Sequence, residues 1–392
     1  MKKNKFCKIM TLILGGMLVF TFMGCSSDSD SEGSIHTITF SIDGIAGEFQ
    51  PIDVVHGKAM PDLSFMYQPQ KNGYFFAGFF DAVEDGTMYY EYDLTSARTW
   101  NKKEDATLYA QWVFMPMARI PAGSFMMGSP ANEWGRNGDI EGPQHLVTLT
   151  SGFYMGRYPV TQEQYLAVMG TNPSYFSVFP NFGNKCPVEM VSWLDALEFC
   201  NRLSMIEGLT SAYSINGSAN PDHWGRPDFE DDDFDPTDPS LPWNNVQIIS
   251  GSVGYRLPTE AQWEYACRAG TTTAYNTGAI ITNNTGWHDA NSNGTTRIVG
   301  SHLLTANAWG LHDMHGNISE MCWDWDLPGY GDGTARTDPL GPAAPSLDWD
   351  FGRIIRGGSW DDTASQLRSA SRNSSSPFNV NEAKGFRVIR PL

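Results

Sequence analysis

Apolar and polar positions alternate with a period of two through residues 35–113, the period of a strand with one covered face. His36 to Phe40 reads as one strand, Gly73 to Phe80 as a second and Thr107 to Trp112 as a third, with Gly and Asp turns between them. From about Met115 the pattern changes. Ile120 to Ser129 carries a strand–turn–strand signal. Three stretches then take up the helical period, each announced by a capping pair. Thr161 with Gln164 precedes Tyr165 and Val168. Ser192 with Asp195 opens a face of Trp193, Ala196, Leu197, Cys200 and Leu203. Thr259 with Gln262 opens Trp263, Ala266 and Cys267, and Gly270 is the expected stop. In each pair the hydroxyl can accept an N–H that the first helical turn leaves unpaired. The rest of the segment reads as short strands and turns.

The first residues follow a different logic. Lys2, Lys3, Lys5 and Lys8 precede an apolar run from Ile9 to Met23 that ends at Gly24 and Cys25. The run is short for a membrane span and suits a secretory segment. It resembles a bacterial lipoprotein signal, which implies cleavage after residue 24 and a lipid on Cys25. Residues 1–24 are thus the expected signal peptide and 25–34 a tether, since Ser26 to Gly33 is polar and small. The expected location is the cell surface, as an outer-membrane-anchored lipoprotein.

Composition narrows the partner class. The 392 residues carry Lys+Arg 26 against Asp+Glu 44, a formal charge of −18. Loss of residues 1–24 removes four lysines and no acid, which takes the charge to −22. Phosphate backbones are repelled by such a chain, and no basic cluster stands out beyond the leader, so no nucleic-acid partner is expected. Six cysteines exclude a disulfide-stapled miniprotein. Gly 39, Pro 23 and Trp 13 suit a loop-rich fold better than a helix bundle.

Residues 35–113, with the Gly73–Phe80 run and the closing LYAQW, resemble the Listeria–Bacteroides repeat, the internalin B-type repeat. Phe79 stands where that family usually has Trp. The resemblance implies a small β-grasp-like module acting as a spacer. Residues 115–392 carry IPAGSFMMG (120–128), YPVT (158–161), PVEMVSW (187–193), YRLPTEAQWEY (255–265), GLHDMHGN (310–317), RGGSW (356–360) and GFR (385–387). In this order they resemble the formylglycine-generating enzyme/sulfatase-modifying factor family. The implied fold is α+β, a loop-rich C-type lectin fold with helices around a small twisted antiparallel sheet.

The family's enzymes oxidise a substrate cysteine with two copper-binding cysteines just after the Gly-Gly-Ser-aromatic motif. Here Asp361 to Arg368 follow that motif, and no cysteine occurs after Cys322. No copper and no thiol chemistry are expected, because soft sulfur ligands are what hold Cu(I), and no catalytic residue is assigned. Cys200 and Cys267 sit on apolar helix faces and read as inert. A metal-dependent enzyme acting on a peptide or small thiol is the alternative. Among the histidines, only His312 and His315 have a spacing that could share a metal. Ordinary hydrogen-bonded or solvent-facing roles are expected for them and for His145, His223, His288 and His302. The resemblance also implies a structural calcium held by the Asp313 and Glu320 carboxylates and the Gly316 and Ile318 carbonyls, completed by further oxygens. The acidic run Asp228 to Asp238 lacks EF-hand spacing and reads as a solvated loop.

The segment 360–384 is distinctive. Trp360, Asp361, Asp362, Thr363, Ser365, Ser371, Asn373, Ser374, Ser375, Ser376, Phe378, Asn379 and Asn381 interrupt a frame of Leu367 to Ala370, Arg372, Pro377 and Gly385 to Arg387. Adaptable hydroxyls and amides around aromatic anchors follow the logic of a paratope. The arrangement resembles the variable proteins of diversity-generating retroelements, of the Treponema type. Those are C-type lectin folds whose variable region is rewritten at adenines, and AAC-derived codons give such residues. Gln366, Glu382 and Lys384 fit that origin poorly. The resemblance implies that the thirteen interrupting residues bind a host or bacterial surface macromolecule. A monomer is expected.

Overall fold

The computed structural model describes residues 33–392, apart from 44, 47–48, 72–73, 84–85, 139, 179–184, 226–240, 242–243, 302–305 and 344–351. The signal segment, Cys25, most of the tether, His302 and the acidic run 228–238 lie outside the described residues. No helix among the described residues is long and apolar enough to cross a membrane.

Period-two alternation in the first segment produces one sheet. It contains β1 (Ile35–Ile42), β2 (Ile45–Ala46), β3 (Ile52–Val55), β4 (Phe75–Phe80), β5 (Met88–Tyr90) and β6 (Ala106–Val113). The order is β2-β1-β6-β4-β5, with β3 also on β1. β1 and β6 pair in parallel, so the chain crosses over between them. Ile38, Phe40, Phe79, Tyr90, Trp100 and Leu108 fill the core beneath. Phe40 and Phe79 lie 4.7 Å apart, tilted as aromatic pairs prefer. β4 shifts register between Phe76 and Gly78. Gly78 has φ +130, and a Cβ there would lie 2.2 Å from the Tyr90 carbonyl oxygen, so only glycine fits the bulge.

The second segment is built of β7 (Met117–Ile120), β8 (Gly123–Met127), β9 (His145–Leu149), β10 (Phe153–Gly156), α1 (Gln162–Met169), α2 (Trp193–Ile206), β11 (Tyr213–Ile215), β12 (Val246–Ile248), α3 (Glu260–Arg268), β13 (Ser319–Trp325), β14 (Arg336–Thr337), β15 (Arg353–Arg356), β16 (Arg372–Ser375), β17 (Lys384–Phe386) and β18 (Ile389–Pro391). All three expected capping boxes form, at Thr161, Ser192 and Thr259. α3 ends one residue earlier than expected, on Ala269 in the left-handed conformation, with Gly270 following at φ +90.

The sheet that organises this segment runs β16-β15-β13-β17. β13 pairs antiparallel with β15 but parallel with β17, so the expected antiparallel sheet is mixed. Its two faces are both covered. Met321 and Phe386 join Trp193, Leu197, Cys200 and Leu203 of α2 in one core. Cys322 and Ile354 join Trp263, Ala266 and Cys267 of α3 in the other. Covering both faces leaves the ends of the sheet as the places where side chains can meet a partner. β18 returns beside β10, which pairs in turn with β7, so the last residues close the domain on its first strand.

Candidate functional site

One end of the central sheet gathers four chain segments. β13 and β17 start there, at Ser319 and Lys384, because they are parallel. β15 ends there at Arg356, and antiparallel β16 starts opposite it at Arg372. A cleft of about 430 Å³ opens at this end. Its lining includes Ser319, Arg356 to Ser359, Asp361, Asp362, Ser365, Gln366, Arg368, Ser371 to Asn373, Asn381, Ala383 and Lys384, with Gly135, Asn137, Ile140 and Glu141 from the loop after β8.

The guanidinium groups of the cleft are held by buried carboxylates. Arg368 binds Glu141 through both forks, at 2.6 and 2.8 Å, and Glu133 at 2.6 Å. Arg372 donates to Glu260 at 2.7 and 3.1 Å. Arg356 pairs with Glu264 and also donates to the Ser369, Ala370 and Ser371 carbonyls. Burial alone pushes the Glu260 carboxyl up, but Arg372 and Arg356 outweigh it and leave it below its ordinary value. Such paired charges define geometry more than they add affinity, since each arginine already has its counter-ion. They fix the course of residues 368–372.

On that support the C-terminal segment divides cleanly. The frame residues Leu367 to Ala370, Arg372, Pro377 and Gly385 to Arg387 are all buried. The thirteen residues expected to contact a ligand are all exposed or half-buried. Asp361, Asp362, Ser365, Ser371, Asn373 and Asn381 line the cleft itself. Trp360, Thr363, Ser374, Ser375, Ser376, Phe378 and Asn379 do not line it. Trp360 stands at its border: its ring meets Phe176 edge-on at 5.5 Å and its indole N–H donates to the Glu382 carbonyl at 3.0 Å. Phe378 packs against the α2 core, so it is an anchor more than a contact. Asp362 is partly engaged in shaping the turn, accepting from the Ser359 N–H and hydroxyl at 2.8 Å each.

The expected calcium residues do not converge as a free donor set. Glu320 is fully buried, and its carboxylate accepts from Arg387 and from the Trp263 indole at 2.7 Å. The Asp313 carboxylate accepts from the Gly300 N–H at 2.6 Å and the Asn317 amide at 3.3 Å. Burial pushes its pKa up to about 6. The Gly316 and Ile318 carbonyls would by themselves supply only two of the roughly six to eight oxygens that calcium takes. With Glu320 neutralised by Arg387, the set as expected does not fit calcium. Among the described residues, no group of three or more His, Cys, Asp or Glu is placed to hold a metal.

The four described cysteines are all buried. Burial pushes the Cys186 and Cys267 thiols up to about 12, and Cys200 and Cys322 also rise, the reverse of what a thiolate nucleophile needs. His315 is buried, with Nδ1 against the Leu367 carbonyl at 2.7 Å and Nε2 accepting from the Asn276 N–H at 3.0 Å. Burial lowers its pKa to about 4, so it is a neutral structural ring.

Sequence reasoning missed several lining groups. Ser319, Gly135, Asn137, Ile140 and Glu141 reach the cleft from far along the chain, and only three-dimensional pairing brings them there. Lys384 and Gln366 suit an AAC codon origin poorly, yet both line the cleft.

Residues 109–392 match the sulfatase-modifying factor enzyme 1-like domain family, a match that begins six residues before the expected boundary. A formylglycine-generating enzyme of Streptomyces coelicolor is 30% identical over 288 residues, covering 69% of this chain and 87% of that one. A chaperone protein, LppX, of Paenibacillus barcinonensis is 33% identical over 265 residues, covering 62% and 81%. Among solved structures, Treponema denticola variable protein 1 is similar with a TM-score of 0.59 and 31% identity, covering 70% of this chain and 95% of that one.

Proposed function

We propose that this chain, which belongs to the sulfatase-modifying factor enzyme 1-like family, uses its C-type lectin-type fold to bind a ligand rather than to oxidise a thiol. The observation that carries the reading is the division of residues 360–384. Every frame position is buried and every Ser, Asn, Asp, Thr and aromatic interruption reaches the surface or its edge. Such a surface can change its side chains without disturbing the core. Likeness to a Treponema variable protein supports the same reading, and so does a cleft lining without cysteine among the described residues.

The ligand is a macromolecule on a host or bacterial surface, and the chain presents its face there from a lipid anchor at Cys25. The acidic chain disfavours nucleic acid. The test replaces Trp360, Asp361, Asn373, Asn379 and Asn381 together by alanine. The variant keeps its melting temperature within a few degrees and loses retention on the host or bacterial cells that bind the parent protein. Equal retention by both proteins overturns the reading. Stoichiometric copper or iron in the purified protein overturns it as well. Diversification has its own test: the DNA downstream must hold a near-copy of this segment differing at adenines, and a reverse transcriptase gene. Cys25→Ala must abolish fatty-acid labelling for the anchor to stand.

A further inference from the structure

The lysine in the cleft wall differs from its arginines. Arg356, Arg368 and Arg372 each meet a carboxylate, whereas no described carboxylate lies within ion-pair distance of Lys384. Lys384 opens β17 and is 1% exposed. Its ammonium donates to the Ser375 hydroxyl at 2.9 Å, at the end of β16, and to the Asn379 backbone carbonyl in the loop beyond. The Asn379 side-chain oxygen lies at 3.5 Å. A buried cation satisfied only by neutral oxygens ties those oxygens strongly, because any that let go leave a charge without solvent.

We propose that Lys384 is the positioning residue of the contact face, a tie that holds the loop 376–383 against the end of β16 by gripping a main-chain carbonyl of the loop and the hydroxyl that ends β16. The inference rests on the ligand-binding reading of the face. One of its two close acceptors is a backbone carbonyl, so the tie survives replacement of the Asn379 side chain. A hydroxyl or amide at position 375 keeps the second. The loop thus holds its course under changes in the residues that meet a ligand. Neighbouring bonds point the same way: the Asn381 carbonyl accepts from the Met190 N–H and the Asn381 side chain from the Ala383 N–H.

Titration of the tie supplies a signature. Burial lowers the Lys384 pKa to about 8, opposed by Asp195 of α2. Its other facing groups are neutral: Ser319 of β13 and Ser375 of β16. Glu382 precedes it by two residues, and Glu141, Asp361 and Asp362 line the same cleft. Above pH 8 the neutral amine grips less strongly than the ammonium.

Hydrogen-exchange mass spectrometry on the full chain tests this without a ligand, so its outcome is independent of whether the face binds one. Protection factors, corrected for intrinsic rates, are read for peptides covering 376–383 and, as controls, α3 and β1. In Lys384→Met the loop is expected to lose protection by about tenfold or more, with the controls unchanged. In the parent, loop protection falls between pH 7 and 9; in Lys384→Arg, which stays charged, it is retained through that range. Unchanged loop protection in Lys384→Met overturns the proposal. So does an equal loss in the controls, which would make Lys384 a general stability residue.

Discussion

Asp324 shows what burial does at the residue scale. Its carboxylate accepts from the Glu260 N–H at 2.7 Å, inside the core. Burial, and then the nearby Glu260 charge, raise its pKa to about 7. A raised carboxyl pKa means that the native state holds a proton the unfolded chain releases from about pH 4 upward. Its contribution to stability is therefore full below the unfolded value and declines as pH rises toward 7. Asp324→Asn keeps the oxygen that accepts the N–H and removes the titration. Urea unfolding is expected to show the variant gaining on the parent between pH 4.5 and 7.5, by on the order of 1–3 kcal/mol. A constant difference would mean that Asp324 does not titrate in this range. Glu320 and Arg387 make the opposite case. They are a fully buried pair, so Arg387→Met leaves a carboxylate without its counter-ion and is expected to cost about 3–5 kcal/mol in the same measurement. The Glu320–Arg387 pairing was not legible in the sequence. GFR and the acid at 320 were each visible as motif residues, but 67 residues separate them and only the β13–β17 alignment joins them.

At the scale of elements, local chemistry was a good guide wherever a bond closes within a few residues. The three capping boxes are such bonds, and all three form as the spacing predicts. Thr259 has a further consequence, because α3 carries Trp263, Glu264 and Arg268 into the buried network. Thr259→Ala leaves an N–H at the head of a buried helix without its acceptor and is expected to lower stability by about 1 kcal/mol, read as a shift in urea midpoint at unchanged slope. Rescue to the parent midpoint by Thr259→Ser checks that the hydroxyl is what counts. Longer-range pairing was less legible. The parallel pairing of β13 with β17 has no local signal, because parallel neighbours are joined by a long excursion of chain rather than by a turn. The same gap hid Ser319, Gly135, Asn137, Ile140 and Glu141 from the candidate site. By contrast, the frame of the 360–384 segment could be read directly. Buried and exposed residues alternate there in small groups, because a short edge strand, Arg372–Ser375, is flanked by turns that each tuck a few residues inward and leave the next outside.

At the scale of the molecule, the two segments meet through a seam of their own. β4 faces two ways: Phe79 enters the core of the first sheet, while Phe80 joins Ala77, Met88 and Val113 against Ala167 and Leu166 of α1. The Gln164 amide adds a bond to the Phe114 carbonyl at 2.8 Å. Since Gln164 also completes the α1 capping box, the helix that starts the larger domain is fixed partly by the end of the smaller one. A module docked in this way holds the larger domain in a set direction, whereas a freely jointed one would not. Met88 lies on the short edge strand β5 and is buried in this seam, not in the module core. Met88→Asp places a carboxylate there with no described basic partner, at a cost of about 2–4 kcal/mol to the seam. Calorimetry is expected to change from one cooperative transition in the parent to two in the variant, with the larger domain melting last. A single transition at an unchanged temperature would show that the seam does not couple the domains.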